Sequence, residues 1–227
     1  MALRIIFSII VGYLFGSVSV SVIISKLVYK QDIRKVGSGN AGATNMARIN
    51  GFKGGITVLV GDFLKAIISC LIAKLIGGDA YAEVCMSLAG CACVLGHAFP
   101  VFFNFKGGKG VTVGAAIALM IDWKALLFIF IVFFVVFAFK KIVSISSISG
   151  AVSLFVITTV FYMFNILGVG NGYFDNFTIE RLFLAFFASF MVVVLHHENI
   201  IRLIKGEEKK FAVQKKPQSE TAVTKQK

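Results

Sequence analysis

The chain has 227 residues, of which 58% are hydrophobic and only 15% charged. Apolar runs near the ~20-residue length of a bilayer-crossing helix recur along it, which indicates one integral membrane domain and excludes a separate soluble catalytic domain. The net charge of +12 does not indicate nucleic-acid binding, because most of the lysines and arginines fall in loops and in the tail, as the positive-inside rule expects of cytoplasmic segments.

Seven apolar segments predict an all-α membrane protein with seven transmembrane helices. They cover residues 3–27, 56–76, 80–95, 111–121, 125–139, 142–167 and 179–195. Two crossings over 111–139 keep every cationic loop on one side, so we expect the N-terminus outside and the C-terminus in the cytoplasm. We expect one membrane domain over residues 1–206 and a polar, mobile cytoplasmic tail over residues 207–227.

The first two spans contain residues that need close partners inside the membrane. Gly12 and Gly16 form a G-x-x-x-G pair, in which the absent side chains allow another helix to approach closely. Asp62 and Lys65 are expected to pair, because charges inside a bilayer are costly and these two lie at i, i+3 spacing. The pair either ties its helix to the preceding loop or takes part directly in a site.

The loop after the first span contains the sequence SGNAGATN. Its Gly37-x-Gly39-x-x-Gly42 pattern is not a dinucleotide fingerprint, because no strand precedes it and there is no room for a βαβ unit. Hydroxyl groups, amides, glycine N–H groups and an arginine are nevertheless suitable donors to phosphate oxygens. The candidate ligands here are Ser38, Gly39, Asn40, Gly42, Thr44, Asn45 and Arg48.

A second polar stretch, GHAFPVFFNFKGGKGVT, runs from Gly96 to Thr112. Glycines beside lysines let backbone N–H and ammonium groups converge on an anion, although a flexible, positively charged loop fits this stretch alone equally well. It is not a Walker A loop, because Gly110 follows Lys109 where serine or threonine is required. The candidate ligands are His97, Lys106, Gly107, Gly108, Lys109 and Gly110.

Polar residues also lie at the start of the sixth span and at the end of the seventh. Ser146 and Ser147 are candidate substrate-binding residues in the sixth span. In HHENIIRL, His196 and Asn199 are i, i+3 neighbours and Arg202 follows one turn later. The adjacent histidines do not have zinc-ligand spacing, so we expect no metal site.

Taken in this order, SGNAGATN, GHAFPVFFNFKGGKGVT and HHENIIRL resemble the signature motifs of the bacterial acyl-phosphate:glycerol-3-phosphate acyltransferases. The Asp62-x-x-Lys65 and Ser146-Ser147 pairs match that family as well, whereas Ala41 stands where many relatives have proline. The resemblance implies a seven-span inner-membrane enzyme with its active site facing the cytoplasm. Such an enzyme transfers a fatty acyl group from acyl phosphate to the 1-hydroxyl of glycerol 3-phosphate, giving lysophosphatidic acid and inorganic phosphate.

The resemblance also implies that neither coenzyme A nor acyl-carrier protein is the direct donor, and that no cofactor or metal is needed. We expect a monomer surrounded by membrane lipids, without a nucleic-acid partner. The alternative function is a transporter for a small phosphorylated solute, against which stand the placement of the polar motifs on one membrane face and the lack of an internal repeat.

Residue roles follow as hypotheses. The expected catalytic residues are Ser38, Lys109, His196 and Asn199, and the expected phosphate ligands are Ser38, Thr44, Arg48, Lys109 and Ser146. His196 either takes the proton of the glycerol hydroxyl or only orients it while a bound phosphate takes the proton. Lys106 is a second phosphate ligand or a membrane-edge charge, His97 contacts substrate or caps a helix, and Arg202 is supporting.

Overall fold

The structure is a computed structural model that describes residues 1–212, and within them it is all-helical. This agrees with the all-α prediction. The helices are α1 (Ala2–Ser17), α2 (Val20–Leu27), α3 (Ala43–Ala98), α4 (Val111–Ile121), α5 (Trp123–Lys140), α6 (Val143–Ile166), α7 (Ile179–Leu195) and α8 (His197–Ile204). Two short 3₁₀ turns, Ile33–Lys35 and Val101–Phe103, lie in the loops after α2 and α3.

The long helix α3 is folded back on itself at Gly78. This glycine has φ 60° and ψ −172°, a backbone conformation that is essentially restricted to glycine. Two observations show that the chain reverses after it. A Cβ atom on Gly77 would collide with the backbone of Ala82, and Asp62 lies 3.7 Å from the His97 ring. A second break at Gly51, with φ 83°, separates the first turns of α3 from the rest. The segments 52–77 and 79–98 are therefore antiparallel and correspond to the second and third predicted spans.

Helices occur at all seven predicted segments. By length and composition, four helical stretches of residues 1–212 are suited to crossing a membrane, or five if α7 and α8 count as one span with a bend of 57°. The four are Ala2–Leu27, Ala43–Phe103, Trp123–Lys140 and Val143–Ile166. Because α3 is a hairpin and α4 is a shorter apolar helix, the count of seven crossings and the orientation of the termini stay predictions.

Close packing of α1 against the second half of α3 relies on glycine. A Cβ atom on Gly12 would collide with the carbonyl oxygen of Ala89, and one on Gly16 would collide with that of Cys93. In return, a Cβ on Gly96 would collide with the backbone of α1 at Tyr13. The prediction that Gly12 and Gly16 serve helix packing is confirmed.

The helical bundle has two distinct ends. At one end, Arg181 at the start of α7 donates to Glu83 at 2.6 Å and to the carbonyl oxygen of Ile121 at 2.5 Å. The opposite end contains the start of α3, the end of α3, the start of α4, the start of α6 and the end of α7. All the polar motifs singled out in the sequence therefore meet at one end of the bundle.

Candidate active site

Asn45 organises the loop that contains the first motif. Its Oδ1 accepts a hydrogen bond from the Ser38 backbone N–H at 3.0 Å, and its Nδ2 lies 3.0 Å from the Val36 carbonyl oxygen and 3.1 Å from those of Ile33 and Asn40. The Asn45 side chain is only 2% exposed. Its amide is thus fully engaged in shaping the loop around Ser38, which is a different role from the phosphate contact expected for it.

The first loop is also fastened to the second. The Arg34 guanidinium donates to both carboxylate oxygens of Asp32 and, at 2.6 Å, to the carbonyl oxygen of Phe103. The hydrogen bond from Arg34 lowers the pKa of Asp32 to about 2, so this carboxylate is ionised at neutral pH. The Ala41 carbonyl oxygen lies beside Gly108, so the first and second motifs are in direct contact.

Asp62, Lys65 and His97 form a buried cluster. Lys65 Nζ lies 2.7 Å from Asp62 Oδ1, 3.2 Å from His97 Nδ1 and 2.7 Å from the Val18 carbonyl oxygen, at the break between α1 and α2. The predicted ion pair is confirmed. An ammonium group only donates, so His97 Nδ1 accepts from it and the proton of the neutral ring is on Nε2.

This cluster supports the glycine-rich loop. The Gly108 N–H donates to the His97 carbonyl oxygen at 3.0 Å, and the Gly107 N–H donates to that of Ala98 at 3.1 Å. A side chain at Gly108 would collide with His97 Nε2, and one at Gly107 would collide with the His97 carbonyl oxygen. Through these contacts His97 supports the loop that contains Gly107 and Gly108.

Lys109 lies at the N-terminus of α4, directly after that loop. Gly110 is the N-cap with φ 78° and provides no side chain to cap the helix. The first N–H groups of α4 have no partners within the helix and attract anions. Burial lowers the pKa of Lys109, and the charge of nearby Arg202 lowers it further. Lys109 thus places a cation directly before a helix N-terminus.

A bend after α7 brings the third motif to Lys109. α7 ends at Leu195 and α8 continues at 57° to it, so that Lys109 Nζ donates directly to Asn199 Oδ1. His196 is buried, whereas its neighbour His197 is exposed. His196 Nδ1 lies 2.7 Å from the Val192 carbonyl oxygen, which only accepts. Nδ1 therefore carries the proton and Nε2 is the acceptor of the neutral ring.

Glu208 is a member of this site that the sequence analysis missed. Its Oε1 accepts from Ser144 Oγ at 2.8 Å and from Asn199 Nδ2 at 2.6 Å, and its Oε2 accepts from Arg202 Nε at 2.7 Å. Burial acts to raise the pKa of Glu208, but these three donors outweigh it and hold the pKa below its usual range. The available signal was an acidic pair, Glu207 and Glu208, at the start of a lysine-rich tail.

The other predicted ligands are distributed around this centre. Ser146 Oγ donates to the carbonyl oxygen of Ile142, and the buried Ser147 lines an apolar cavity. Gly39 has φ 72° in the first loop, Gly42 is the N-cap of α3, and Lys106 is exposed. Within residues 1–212, the side chains of Ser38, Thr44 and Arg48 form no hydrogen bond with Lys109 or Asn199.

An apolar cavity of about 380 Å³ lies next to the N-terminus of α4. Val111 and Thr112, the first residues of α4, line it next to Lys109. Phe130 and Phe134 of α5 line it as well and are 41% and 61% exposed on the outer surface of the bundle. The hydroxyls of Ser147 and Ser189, which also line it, have no hydrogen-bond partner within the described residues.

The sequence matches the model of the family described as "Glycerol-3-phosphate acyltransferase" over residues 6–206. The glycerol-3-phosphate acyltransferase 2 of Bacillus anthracis is 36% identical over 206 residues, which cover 91% of this chain and 98% of that protein. The glycerol-3-phosphate acyltransferase of Aquifex aeolicus is 37% identical over 210 residues, which cover 92% of this chain and 100% of that protein.

Solved structures agree with this assignment. The crystal structure of PlsY, an integral membrane glycerol 3-phosphate acyltransferase, in its glycerol 3-phosphate form has a TM-score of 0.78 at 36% identity, covering 92% of this chain and 96% of that chain. Its lysophosphatidic acid form has a TM-score of 0.76 at 35% identity. These similarities do not favour a transporter. The chain belongs to the glycerol-3-phosphate acyltransferase family and is an integral membrane acyltransferase.

Proposed function

We propose that this protein transfers a fatty acyl group from acyl phosphate to the 1-hydroxyl of glycerol 3-phosphate, forming lysophosphatidic acid and inorganic phosphate. One observation supports this most directly: an anion-attracting centre at Lys109 and the N-terminus of α4 borders an apolar cavity of about 380 Å³. An acyl phosphate has the matching division between a charged head and an apolar tail. The solved PlsY forms are those with glycerol 3-phosphate and lysophosphatidic acid, which correspond to the acceptor and the product.

The phosphate groups are bound at the end of the bundle where the motifs meet. Lys109 and the first N–H groups of α4 supply positive charge and donors, and Gly107 and Gly108 shape the loop before them by packing against His97. The first loop adds Ser38, Thr44 and Arg48 as ligands of the same phosphates. Fixed donors of this kind stabilise the charge that develops on the acyl carbonyl oxygen and on the departing phosphate.

The reaction is a single acyl transfer. The 1-hydroxyl oxygen of glycerol 3-phosphate attacks the acyl carbonyl carbon, a new C–O ester bond forms, and the bond from that carbon to the phosphate oxygen breaks. The bonding electron pair leaves with the phosphate. The proton of the hydroxyl goes to His196 Nε2, the free acceptor of that ring, or to an oxygen of the phosphate itself.

A His196→Ala variant distinguishes the two proton acceptors. If Nε2 takes the proton, kcat falls by about 10²- to 10⁴-fold, the usual contribution of a general base. If the phosphate takes it, kcat stays within a few-fold of the wild type. Replacement of the neighbouring His197, which is exposed, by alanine is the matched control.

The acyl chain occupies the apolar cavity. Its walls come from five helices, α3 to α7, and include Phe63 of α3, Phe133 of α5 and Leu154 of α6. Burial of each methylene in such a cavity contributes about 0.8 kcal/mol, so the cavity retains the tail while the head reacts. The exposed phenylalanines of α5 face the lipid. An amphiphilic donor therefore enters the cavity laterally from the bilayer.

The proposal is tested with the full-length protein purified in detergent. We expect phosphate release and lysophosphatidic acid formation that require both acyl phosphate and glycerol 3-phosphate, and no product when acyl-CoA or acyl-carrier protein replaces the donor. Equal turnover with acyl-CoA would contradict the proposed donor. Uptake of labelled glycerol 3-phosphate into liposomes without ester formation would instead support the transporter.

A further inference from the structure

The chain segment after α8 returns to the candidate active site. The Phe211 N–H donates to the Lys141 carbonyl oxygen at 2.8 Å, and the Phe211 ring packs edge-on against that of Phe137, with centroids 6.3 Å apart. These contacts hold the segment across the junction of α5 and α6. The side chain of Glu208 is thereby placed among Ser144, Asn199 and Arg202 and is 11% exposed.

The Asn199 amide stands between two groups of fixed hydrogen-bonding character. A carboxylate only accepts, and Glu208 Oε1 faces Asn199 Nδ2 at 2.6 Å. An ammonium group only donates, and Lys109 Nζ faces Asn199 Oδ1. Only one orientation of the amide satisfies both neighbours. Glu208 and Lys109 therefore fix the same orientation from opposite sides, with the oxygen of Asn199 toward Lys109 and its nitrogen toward Glu208.

The charges around Glu208 support the same role for this carboxylate. Arg202 and Lys109 are close enough for their positive charges to repel each other, and the Glu208 carboxylate, bound to Arg202 Nε at 2.7 Å, offsets part of that repulsion. Ser144 donates the remaining hydrogen bond to this carboxylate. The carboxylate thus accepts hydrogen bonds from three side chains and lies next to the groups that are proposed to bind phosphate.

We propose that Glu208 is a positioning residue for the acyl transfer: it orients the Asn199 amide and, through it, holds the Lys109 ammonium group at the N-terminus of α4. The inference rests on the proposed function. The opposite role for the same carboxylate is to occupy the place of a substrate phosphate and slow the enzyme. Substitution separates the two roles by the sign of its effect on activity.

The first experiment compares Glu208→Gln, which keeps the side-chain volume, with Glu208→Ala in the full-length protein in detergent. Loss of a hydrogen bond to a charged group predicts that kcat/KM for glycerol 3-phosphate falls about 10- to 100-fold in Glu208→Ala, and less in Glu208→Gln. Glu207→Gln is the matched control, because Glu207 is the exposed neighbouring carboxylate, and it should retain the wild-type value. Unchanged or increased activity of both Glu208 variants would overturn the proposal.

The second experiment asks whether Glu208 acts through Asn199. In a double-mutant cycle, Glu208→Gln should change kcat/KM less than about twofold when Asn199→Ala is already present, because the two substitutions break the same chain of contacts. Additive losses would show a general structural effect and would contradict the inference. If the activity of Asn199→Ala is too low to measure, the same cycle is run on the binding affinity for glycerol 3-phosphate, with the same expectation.

Wild-type protein measured in parallel separates failure of this inference from failure of the proposed function. A wild type without acyl transfer overturns the proposed function and the inference together. An active wild type with Glu208 variants of equal activity overturns only the inference. Size-exclusion profiles and melting temperatures of the variants verify that the reduced activity belongs to folded protein.

Discussion

Lys109 shows how a single residue acquires its role from neighbours that are distant in sequence. Its ammonium group donates to Asn199, 90 residues away, and it follows a loop that His97 supports from behind. Burial lowers its pKa, so the protein holds this cation in a less hydrated site than a surface lysine occupies. In that environment its charge acts more strongly on a phosphate or an oxyanion than it would in water.

Substitution of Lys109 tests this. Lys109→Ala should lower kcat/KM by about 10²- to 10³-fold, the usual cost of removing a donor that stabilises developing charge. Acyl phosphate and glycerol 3-phosphate turnover is the measurement. Lys205→Ala, which removes an exposed lysine after α8, is the control and should have little effect. Near-normal turnover of Lys109→Ala would place the phosphate elsewhere.

At the scale of whole elements, two helix arrangements position the site. The hairpin of α3 places Asp62 and Lys65 next to His97, and the contact between α1 and α3 holds that hairpin against the break at Val18. The bend between α7 and α8 then brings Asn199 to the start of α4. Each helix end contributes a small part of the site.

Close packing of α1 on α3 is sensitive to side-chain volume. Gly12→Leu should destabilise the folded protein by about 1–3 kcal/mol, the usual cost of overpacking, because the Ala89 carbonyl oxygen occupies the space that the new side chain needs. The melting temperature in detergent measures it. Ile10→Leu, at an exposed position of the same helix, should leave the melting temperature unchanged. An unshifted melting temperature for Gly12→Leu would contradict the observed packing.

The walls of the apolar cavity should set the preferred acyl chain. Ala151→Phe adds a ring to a wall of α6, which predicts that kcat/KM for palmitoyl phosphate falls about tenfold relative to octanoyl phosphate, equivalent to about two methylenes without burial at 0.8 kcal/mol each. Turnover of the two donors by the purified variants is the measurement. Val152→Phe, the next residue, is 47% exposed and does not line the cavity, so it should keep the wild-type ratio.

In the molecule as a whole, the candidate active site lies at one end of the helical bundle. Side-chain contacts that join the helices lie at the other end. The Arg181–Glu83 pair and the hydrogen bond from Asn176 to Asp122 at 3.0 Å close the end remote from Lys109. The loops of the site end carry most of the cations between spans. The positive-inside rule therefore predicts that the site faces the cytoplasm.

This orientation predicts which positions react from outside the cell. In cells with a permeable outer membrane, Val169→Cys should react with a membrane-impermeant maleimide, whereas Lys35→Cys should react only after the inner membrane is opened. Both positions are exposed, and the four native cysteines are buried and free, which keeps the background low. The reverse pattern of labelling would contradict the predicted orientation.

A good part of the site was predictable from local pattern. The i, i+3 pair of Asp62 and Lys65 and the close spacing of Gly12 and Gly16 indicate what those residues do, because each pattern acts within one or two turns of chain or through the size of a single side chain. The roles of the individual polar residues were not predictable from the sequence. Asn45 shapes its own loop, Ser146 bonds to its own helix, and Ser144 is the serine of α6 that contacts Glu208.

The membrane class, the helical segments and the three polar motifs can be recognised from the order of residues alone, because bilayer length and helical periodicity act locally along the chain. The packing of the helices was needed to find that α3 folds back at Gly78, that Gly108 meets Ala41, and that Lys109, Asn199 and Glu208 form one chain of contacts. These contacts join parts of the chain whose separation no local pattern records. They depend on how the helices pack, which is a property of the whole bundle.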